Sequence, residues 1–331
     1  MTAVAIDDYR AGRELGRWAG AYAREHLGGL VRALVVTASL KNTEARSRGF
    51  VQGLTEVLPG AQVVASVNGY GLKESAREIA ADALAVHPDV NLIFGINDDS
   101  TVAALEAYRA AGLDEERLLV VTFGLEGRVG KNLLTEGGPC KAGVAMFPEV
   151  VGRACVDAAV AAYDGVALPD HLVTPSRVVT SETLGRYYRR QGDEWCVDLA
   201  AVEALWEPGS GWEVLKTLRP RRLPRRLGFV YTFSVHEWYQ NVLRAMRQRA
   251  GELGIELLAE DATETIRQEL EELKRVVARA AAQLVHDGDA IILDGGSTLT
   301  LMAAELRQRS NLTVITNSVS VLDALADAPG V

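Results

Sequence analysis

The feature that most constrains this chain is a rhythm of short apolar runs, each ending abruptly in hydrogen-bonding residues and followed by a segment of helical period. Ala33-Leu34-Val35-Val36 gives way to Thr37 and a helix carrying Arg46. Val63-Val64-Ala65 leads to Asn68 and Tyr70, Leu92-Ile93-Phe94 to Asn97 and Asp98, and Leu119-Val120-Val121 to Glu126. Strands buried on both faces are apolar throughout and their crossovers are helical, so the pattern predicts a doubly wound parallel sheet of the α/β class. Ligands of such sheets sit at the carboxyl ends of the strands. Arg, Asn, Tyr and Glu placed there offer fork donors, an amide that donates and accepts, a ring face and a carboxylate acceptor, which suits a polyhydroxylated small molecule.

Composition narrows the function classes. A chain of 331 residues with 48% hydrophobic and 24% charged residues has room for two globular domains. A formal net charge of -9 disfavours the chain as a whole as a nucleic-acid binder. No apolar stretch approaches membrane-spanning length, and the opening residues lack a basic region followed by an apolar one, so neither membrane insertion nor secretion is expected. Cys140, Cys155 and Cys196 are odd in number and far apart, which fits free thiols in a reducing compartment. His236-Glu237 lacks the second histidine of a zinc helix, and there is no paired-cysteine motif or nucleophile elbow. No catalytic residue, metal ligand or cofactor is therefore expected.

The alternation lapses near residues 190 to 226. That segment carries Trp195, Trp206 and Trp212 and then an Arg-rich stretch interrupted by Pro220 and Pro224, so residues 191–226 read as a linker between a domain of residues 1–190 and another of 227–331. The tryptophans are expected to pack the connecting segment onto a domain. Alternation resumes with Leu227-Gly228-Phe229-Val230-Tyr231 and a helix whose apolar stripe includes Val242, Leu243 and Met246, capped by Gly254. Further on, Ala290-Ile291-Ile292-Leu293 runs into Asp294-Gly295-Gly296-Ser297-Thr298. This turn reads two ways: as a cradle of backbone N–H groups and hydroxyls for an anion at a helix N-terminus, or as a tight turn with a Ser or Thr N-cap.

Two resemblances rest on longer sets of residues. Asp7-Asp8 before Ala11-Gly12, Arg46 before Gly49-Phe50, His87-Pro88-Asp89, Asn97-Asp98, Gly124-Leu125-Glu126-Gly127, Phe147-Pro148 with Gly152, and Pro175 to Ser181 resemble the second half of ribose/galactose-type periplasmic sugar-binding proteins. LacI-type repressor cores share that fold. Leu227 to about Glu260 is similar to the opening strand-helix-strand of the same family. The resemblance implies Rossmann-like lobes of type I periplasmic-binding-protein character over residues 1–190 and 227–260. It also implies a sugar cleft lined by Arg46, Asn97 and Glu126, Tyr70 near a stacking aromatic, and Trp238-Tyr239 as paired ring-stacking residues. Glu126 stands where the family usually has Asp, and Met146 where it has a cleft Gln.

From Glu272 onward, Ala278-Arg279-Ala280-Ala281, Asp287-Gly288-Asp289, Leu293 to Thr298, Asn311 to Asn317 and Leu325-Ala326 resemble the start of the effector-sensing domain of DeoR-type sugar regulators. That resemblance, over residues 272–331, implies phosphosugar binding through Gly296, Ser297, Thr298 and Asn317. Both ends of the chain read as cut, as in a fragment of a longer regulator or binding protein.

Together these readings give the following expectations. The chain is a non-catalytic carbohydrate-binding protein, the effector-sensing part of a sugar-responsive transcriptional regulator. The alternatives are the solute-binding component of a sugar ABC transporter and a sugar-phosphate isomerase-like enzyme. Its partner is a sugar or sugar phosphate; DNA enters only through a domain this chain does not contain, and a homo-oligomer is compatible with the reading. Location is cytoplasmic, or periplasmic if the full-length protein carries a signal peptide. Removing the guanidinium at Arg46 or the amide at Asn97 is expected to abolish sugar binding and leave the fold intact. Residues 1–190 and 227–317 are also complementary enough to close on each other in permuted order, with the strands at Phe229 and Ile292 joining a sheet near Val4 or Val178.

Overall fold

The computed structural model describes residues 2–217, 219–231, 235–293, 297–316 and 319–330. The chain divides into two compact units, one of residues 1–229 with 234–259 and the other of residues 230–233 with 260–331.

In the first unit a short strand β1 (Ala3–Ala5) precedes α1 (Asp8–His26), and then strands and helices alternate. They are β2 (Arg32–Thr37), α2 (Lys41–Val57), β3 (Gln62–Asn68), α3 (Lys73–Val86), β4 (Leu92–Gly95), α4 (Asp98–Ala110), β5 (Leu119–Gly124), α5 (Arg128–Thr135), β6 (Cys140–Ala145) and α6 (Pro148–Tyr163). After β7 (His171–Val173), β8 (Arg177–Val179) completes a six-stranded sheet of order β3-β2-β4-β5-β6-β8. All neighbours are parallel except β8, which runs antiparallel to β6. The apolar runs named from sequence are these strands.

Two-residue periodicity sends successive side chains to opposite faces, and both faces are covered. Leu34, Val36 and Ile93 join the cluster with α3 and α4. Ala33, Val35 and Phe94 join the cluster with α1 and α2, where Phe50 stacks on Phe94 at 4.2 Å between ring centroids. Each such fully buried large side chain contributes about 1.5–3 kcal/mol.

Helices α1 and α2 touch backbone to backbone. A methyl group built on Gly12 would run into the carbonyl oxygen of Arg46, and one on Gly49 into that of Tyr9. The absence of a side chain at these two positions lets the helices approach and brings Asp8, at the start of α1, against Arg46.

Beyond α6 the chain forms the antiparallel hairpin β9 (Tyr188–Gln191) and β10 (Glu194–Val197), then the short helices α7 (Leu199–Glu203) and α8 (Trp212–Lys216). The tryptophans do pack here. Trp195 donates to Asn132 Oδ1 at 3.0 Å, and Trp206 stacks on Trp212 at 4.3 Å with 9° between planes. The backbone N–H groups of Arg221 and Arg222 donate to the carboxylate of Asp164 just past α6. Strand β11 (Arg226–Tyr231) pairs with β12 (Glu256–Asp261), and between them α9 (Glu237–Glu252) docks on α6. Val156 and Val160 meet Val242, Met246 and Ala250 there, and Arg249 and Arg153 reach Asp157 and Glu252 at 2.7 and 2.8 Å. Gly254, with φ +69°, ends α9 in the left-handed conformation that its sequence position predicts.

In the second unit, α10 (Thr263–Ala282), β13 (Ala290–Leu293), α11 (Ser297–Leu306), β14 (Thr313–Thr316) and α12 (Val319–Leu325) surround a core of residues such as Leu293, Met302, Leu306 and Val321. Strands β13 and β14 are parallel. The expectation that the strands at Phe229 and Ile292 share a sheet with residues near Val4 or Val178 is not met: β11 pairs with β12, β13 with β14, β1 with β7 and β8 with β6. Two-stranded pairings satisfy β1, β11 and β13 locally, while β8 lies at the edge of the six-stranded sheet.

Candidate functional site

The chain goes from β2 out to its neighbour β3 and then returns to β4 on the other side of β2, so α2 and α4 leave the sheet on opposite faces. That reversal opens a crevice at the carboxyl ends of β2 and β4. Arg46 of α2 crosses it: its Nη1 donates to the carbonyl of Ile96, just past β4, at 3.1 Å. Its Nε donates to Asp8 Oδ1 at 2.7 Å, and the guanidinium lies 4.5 Å over the Phe123 ring. Arg46 is only 9% exposed. Burial pushes the Asp8 carboxyl up, against the opposing pull of Arg46.

Asn97 caps α4. Its Oδ1 accepts from the Ser100 N–H at 2.8 Å, and its Nδ2 donates to the carbonyl of Gly71 at 3.0 Å. The following residue, Asp98, is buried and binds the turn after β5: it accepts from the Thr122 hydroxyl and from the N–H groups of Leu125 and Glu126 at 2.9 to 3.2 Å. Burial outweighs these donors and pushes the Asp98 carboxyl up to about 6. This network holds Glu126, 4% exposed, at the end of β5. Burial and the neighbouring Asp98 carboxylate raise the Glu126 carboxyl well above its ordinary range.

His236 completes the cluster. Capping α9, it places Nε2 at 3.4 Å from Asn97 Nδ2 and 3.5 Å from Glu126 Oε2. Burial lowers its imidazole while it raises the Glu126 carboxyl, so both shifts oppose ionisation and the contact is not a strong ion pair. The first turns of α9 hold the same loop elsewhere: Asn241 donates to the Glu126 carbonyl at 2.7 Å, and the Glu237 carboxylate accepts from the N–H groups of Arg128 and Val129 at the start of α5.

The structure thus gathers Arg46, Asn97 and Glu126. Tyr70 stands apart at 69% exposure, with φ +57° and its N–H donating to Asn68 Oδ1; only the adjacent Gly71 carbonyl reaches the cluster. The ring of Trp238 packs against two apolar clusters, and the Trp238 backbone N–H donates to His236 Nδ1 at 3.3 Å. Tyr239 sets its ring edge-on to His236, with 6.3 Å between centroids. Met146, at the position where resemblance implies a cleft Gln, is buried among apolar side chains. His236, Asp8 and the binding of the Glu126 loop by Asp98 were missed from sequence. The signals available were the pairing of Asp7-Asp8 with a helix start and the place of His236 two residues before Trp238. Of the residues named for phosphate binding, Gly296 and Asn317 lie outside the described residues; Ser297 opens α11 and Thr298 lies half-buried in its first turn. No group of three or more His, Cys, Asp or Glu able to hold a metal ion occurs among the described residues. No helix among them is long and apolar enough to cross a membrane.

An open α/β sheet that collects a guanidinium, an amide and a carboxyl at its switch point defines the class of crevice-binding, small-molecule-recognising domains. Residues 1–166 match the family described as the periplasmic binding protein domain, and residues 269–331 match the DeoR C terminal sensor domain. The chain belongs to the periplasmic binding protein family.

Among curated relatives, the ribose import binding protein RbsB of Bacillus subtilis is 25% identical over 183 residues, covering 55% of this chain and 56% of that protein. The HTH-type transcriptional repressor GlcR of B. subtilis is 43% identical over 60 residues, 18% of this chain and 23% of that protein. The chain therefore spans between about a fifth and just over half of the curated relatives it matches. Two solved structures are similar in fold. One is a periplasmic solute binding protein of an ABC transporter from Actinobacillus succinogenes with bound D-allose: TM-score 0.50, 20% identity, covering 56% of this chain and 64% of that one. The other is a Mycobacterium smegmatis protein in complex with β-D-fucofuranose: TM-score 0.51, 23% identity, covering 61% and 65%.

Proposed function

We propose that the chain is a non-catalytic sugar-binding protein and serves as the effector-sensing part of a sugar-responsive transcriptional regulator. The observation that carries this reading is the convergence of Arg46, Asn97 and Glu126 at the switch point of a periplasmic-binding-protein sheet, in one chain with a match to the DeoR sensor domain. In this reading Arg46 and Asn97 direct hydrogen bonds at ring hydroxyls and Glu126 accepts from them. Trp238 and Tyr239 offer apolar faces beside His236, and Tyr70 supplies a ring at the rim. Gly296, Ser297, Thr298 and Asn317 are proposed to hold a phosphate in the sensor portion, and DNA is contacted through a domain outside this chain. In this reading the regulator's place is the cytoplasm.

A second reading, the solute-binding component of a sugar transporter, is favoured by the longer match to RbsB. Titration calorimetry of the whole chain against pentoses, hexoses and their phosphates tests the site common to both readings. At least one sugar is expected to bind, and Asn97→Ala to weaken it by roughly tenfold, the loss of one hydrogen bond to a buried partner. Affinity unchanged in that variant, or no binding across the panel, would sink the assignment. Preference for a phosphosugar favours the regulator.

A further inference from the structure

The charges around Glu126 do not balance. The Arg46 guanidinium is committed to Asp8 and to the Ile96 carbonyl. Asp98 already accepts from three donors of β5 and the turn after it. Lys131, 1% exposed, donates to the Gly127 carbonyl and lies 4.2 Å over the Tyr188 ring. For the Glu126 carboxylate, the approach of a side-chain donor among the described residues is that of His236 Nε2 at 3.5 Å, longer than a strong hydrogen bond. Asp98, the half-buried Asp99 in the first turn of α4 and Glu237 add negative charge in its vicinity, and the Arg46 guanidinium opposes them in part. His236 does not offset it, because burial favours the neutral imidazole. A buried carboxyl that lacks a strong donor is an unfavourable arrangement, and one that a cationic donor relieves.

Resting on the sugar-binding reading above, we propose that the sugar recognised here is an amino sugar whose ammonium group sits against Glu126 and within the field of Asp99. A ring hydroxyl supplies one donor and no charge. An ammonium supplies three donors and a positive charge against Glu126, set against the field of Arg46, which its pairing with Asp8 offsets in part. Because His236 Nδ1 accepts from the Trp238 backbone N–H, the neutral imidazole carries its proton on Nε2, where it donates to Glu126 or to an adjacent ring hydroxyl and accepts from neither.

The test is calorimetry on the whole chain at neutral pH with glucose and galactose, their 2-amino-2-deoxy and 6-amino-6-deoxy forms, and the N-acetylated 2-amino sugars. At least one amino sugar is expected to bind about tenfold or more tightly than both its neutral parent and its acetylated form, as a charged hydrogen bond exceeds a neutral one. Glu126→Gln should collapse that ratio to near one. Asp99→Asn, at a half-buried helix position less exposed to folding defects, should reduce it. Neutral sugars that bind as well as or better than the amines overturn this proposal and leave the sugar-binding reading standing. A preference that survives Glu126→Gln overturns it too, and the absence of binding by any sugar overturns both.

Discussion

Replacing Arg46 should unfold as well as disarm. The Arg46 and Asp8 side chains are 10% and 16% exposed and joined at 2.7 Å. Breaking a buried pair from one side strands the other charge, at a cost of about 3–5 kcal/mol. Loss of the hydrogen bond to the Ile96 carbonyl and of the contact over Phe123 falls within that range. Arg46→Met is therefore expected to lower the unfolding free energy by roughly 3 kcal/mol or more at neutral pH. This revises the sequence-based expectation that the fold is indifferent to the residue. The deficit should shrink in acid. Without the guanidinium the folded-state Asp8 carboxyl rises further above its ordinary value, so its protonation relieves the stranded charge as pH falls toward that value. Adding Asp8→Asn should recover more than half of the loss, because the two residues form one interacting unit. Urea unfolding followed by circular dichroism, on both single variants and the double variant, measures all three quantities. A loss under about 1 kcal/mol for Arg46→Met, the size of a surface pair, would refute the argument. So would additive costs in the double variant.

Two further outcomes follow from the same region. The Glu126 carboxyl is raised in the folded state, so between its unfolded and folded values the native protein holds a proton that the unfolded chain has released; stability should fall as pH rises through that window. Glu126→Gln should flatten the fall in a series of melts from pH 4 to 8, and an unchanged slope would show that the carboxyl ionises freely in place. Gly49→Ala places a methyl group against the Tyr9 carbonyl and must push α1 from α2. We expect a loss of about 1–3 kcal/mol, of the size of overpacking, together with weakened sugar binding through displaced Arg46; thermal melts that match the parent would contradict the close crossing.

The sheet was readable because double-sided burial leaves a plain mark: Leu92-Ile93-Phe94 and Leu119-Val120-Val121 are apolar at every position, and Asn97 and Glu126 follow them a few residues on, past the strand ends. Asn97 was readable twice over, as a strand-end donor and as a residue type that caps helices. His236 was not, since it meets Asn97 across 139 positions of chain. Its arrival depends on α9 seating against α6, where a side chain at Gly152 would strike the Val242 carbonyl. Nothing local to His236 encodes that seat. Tyr70 shows the converse case: the residue type suggested a stacking ring, while a left-handed backbone at φ +57° leaves the side chain largely in solvent.

The placement of the tryptophans gives the molecule its own optical probes. Of the five in the chain, Trp238 is hydrogen-bonded through its backbone to the histidine that touches Glu126 and Asn97, so a ligand entering there changes the polarity and quenching around one indole. Trp206 and Trp212, parallel at 4.3 Å, are close enough for their excited states to couple, and their signal reports instead on whether the segment after the hairpin stays folded. A Trp238→Phe variant would separate the two colours of information, allowing occupancy of the crevice and integrity of the connecting segment to be followed in one cuvette without a label.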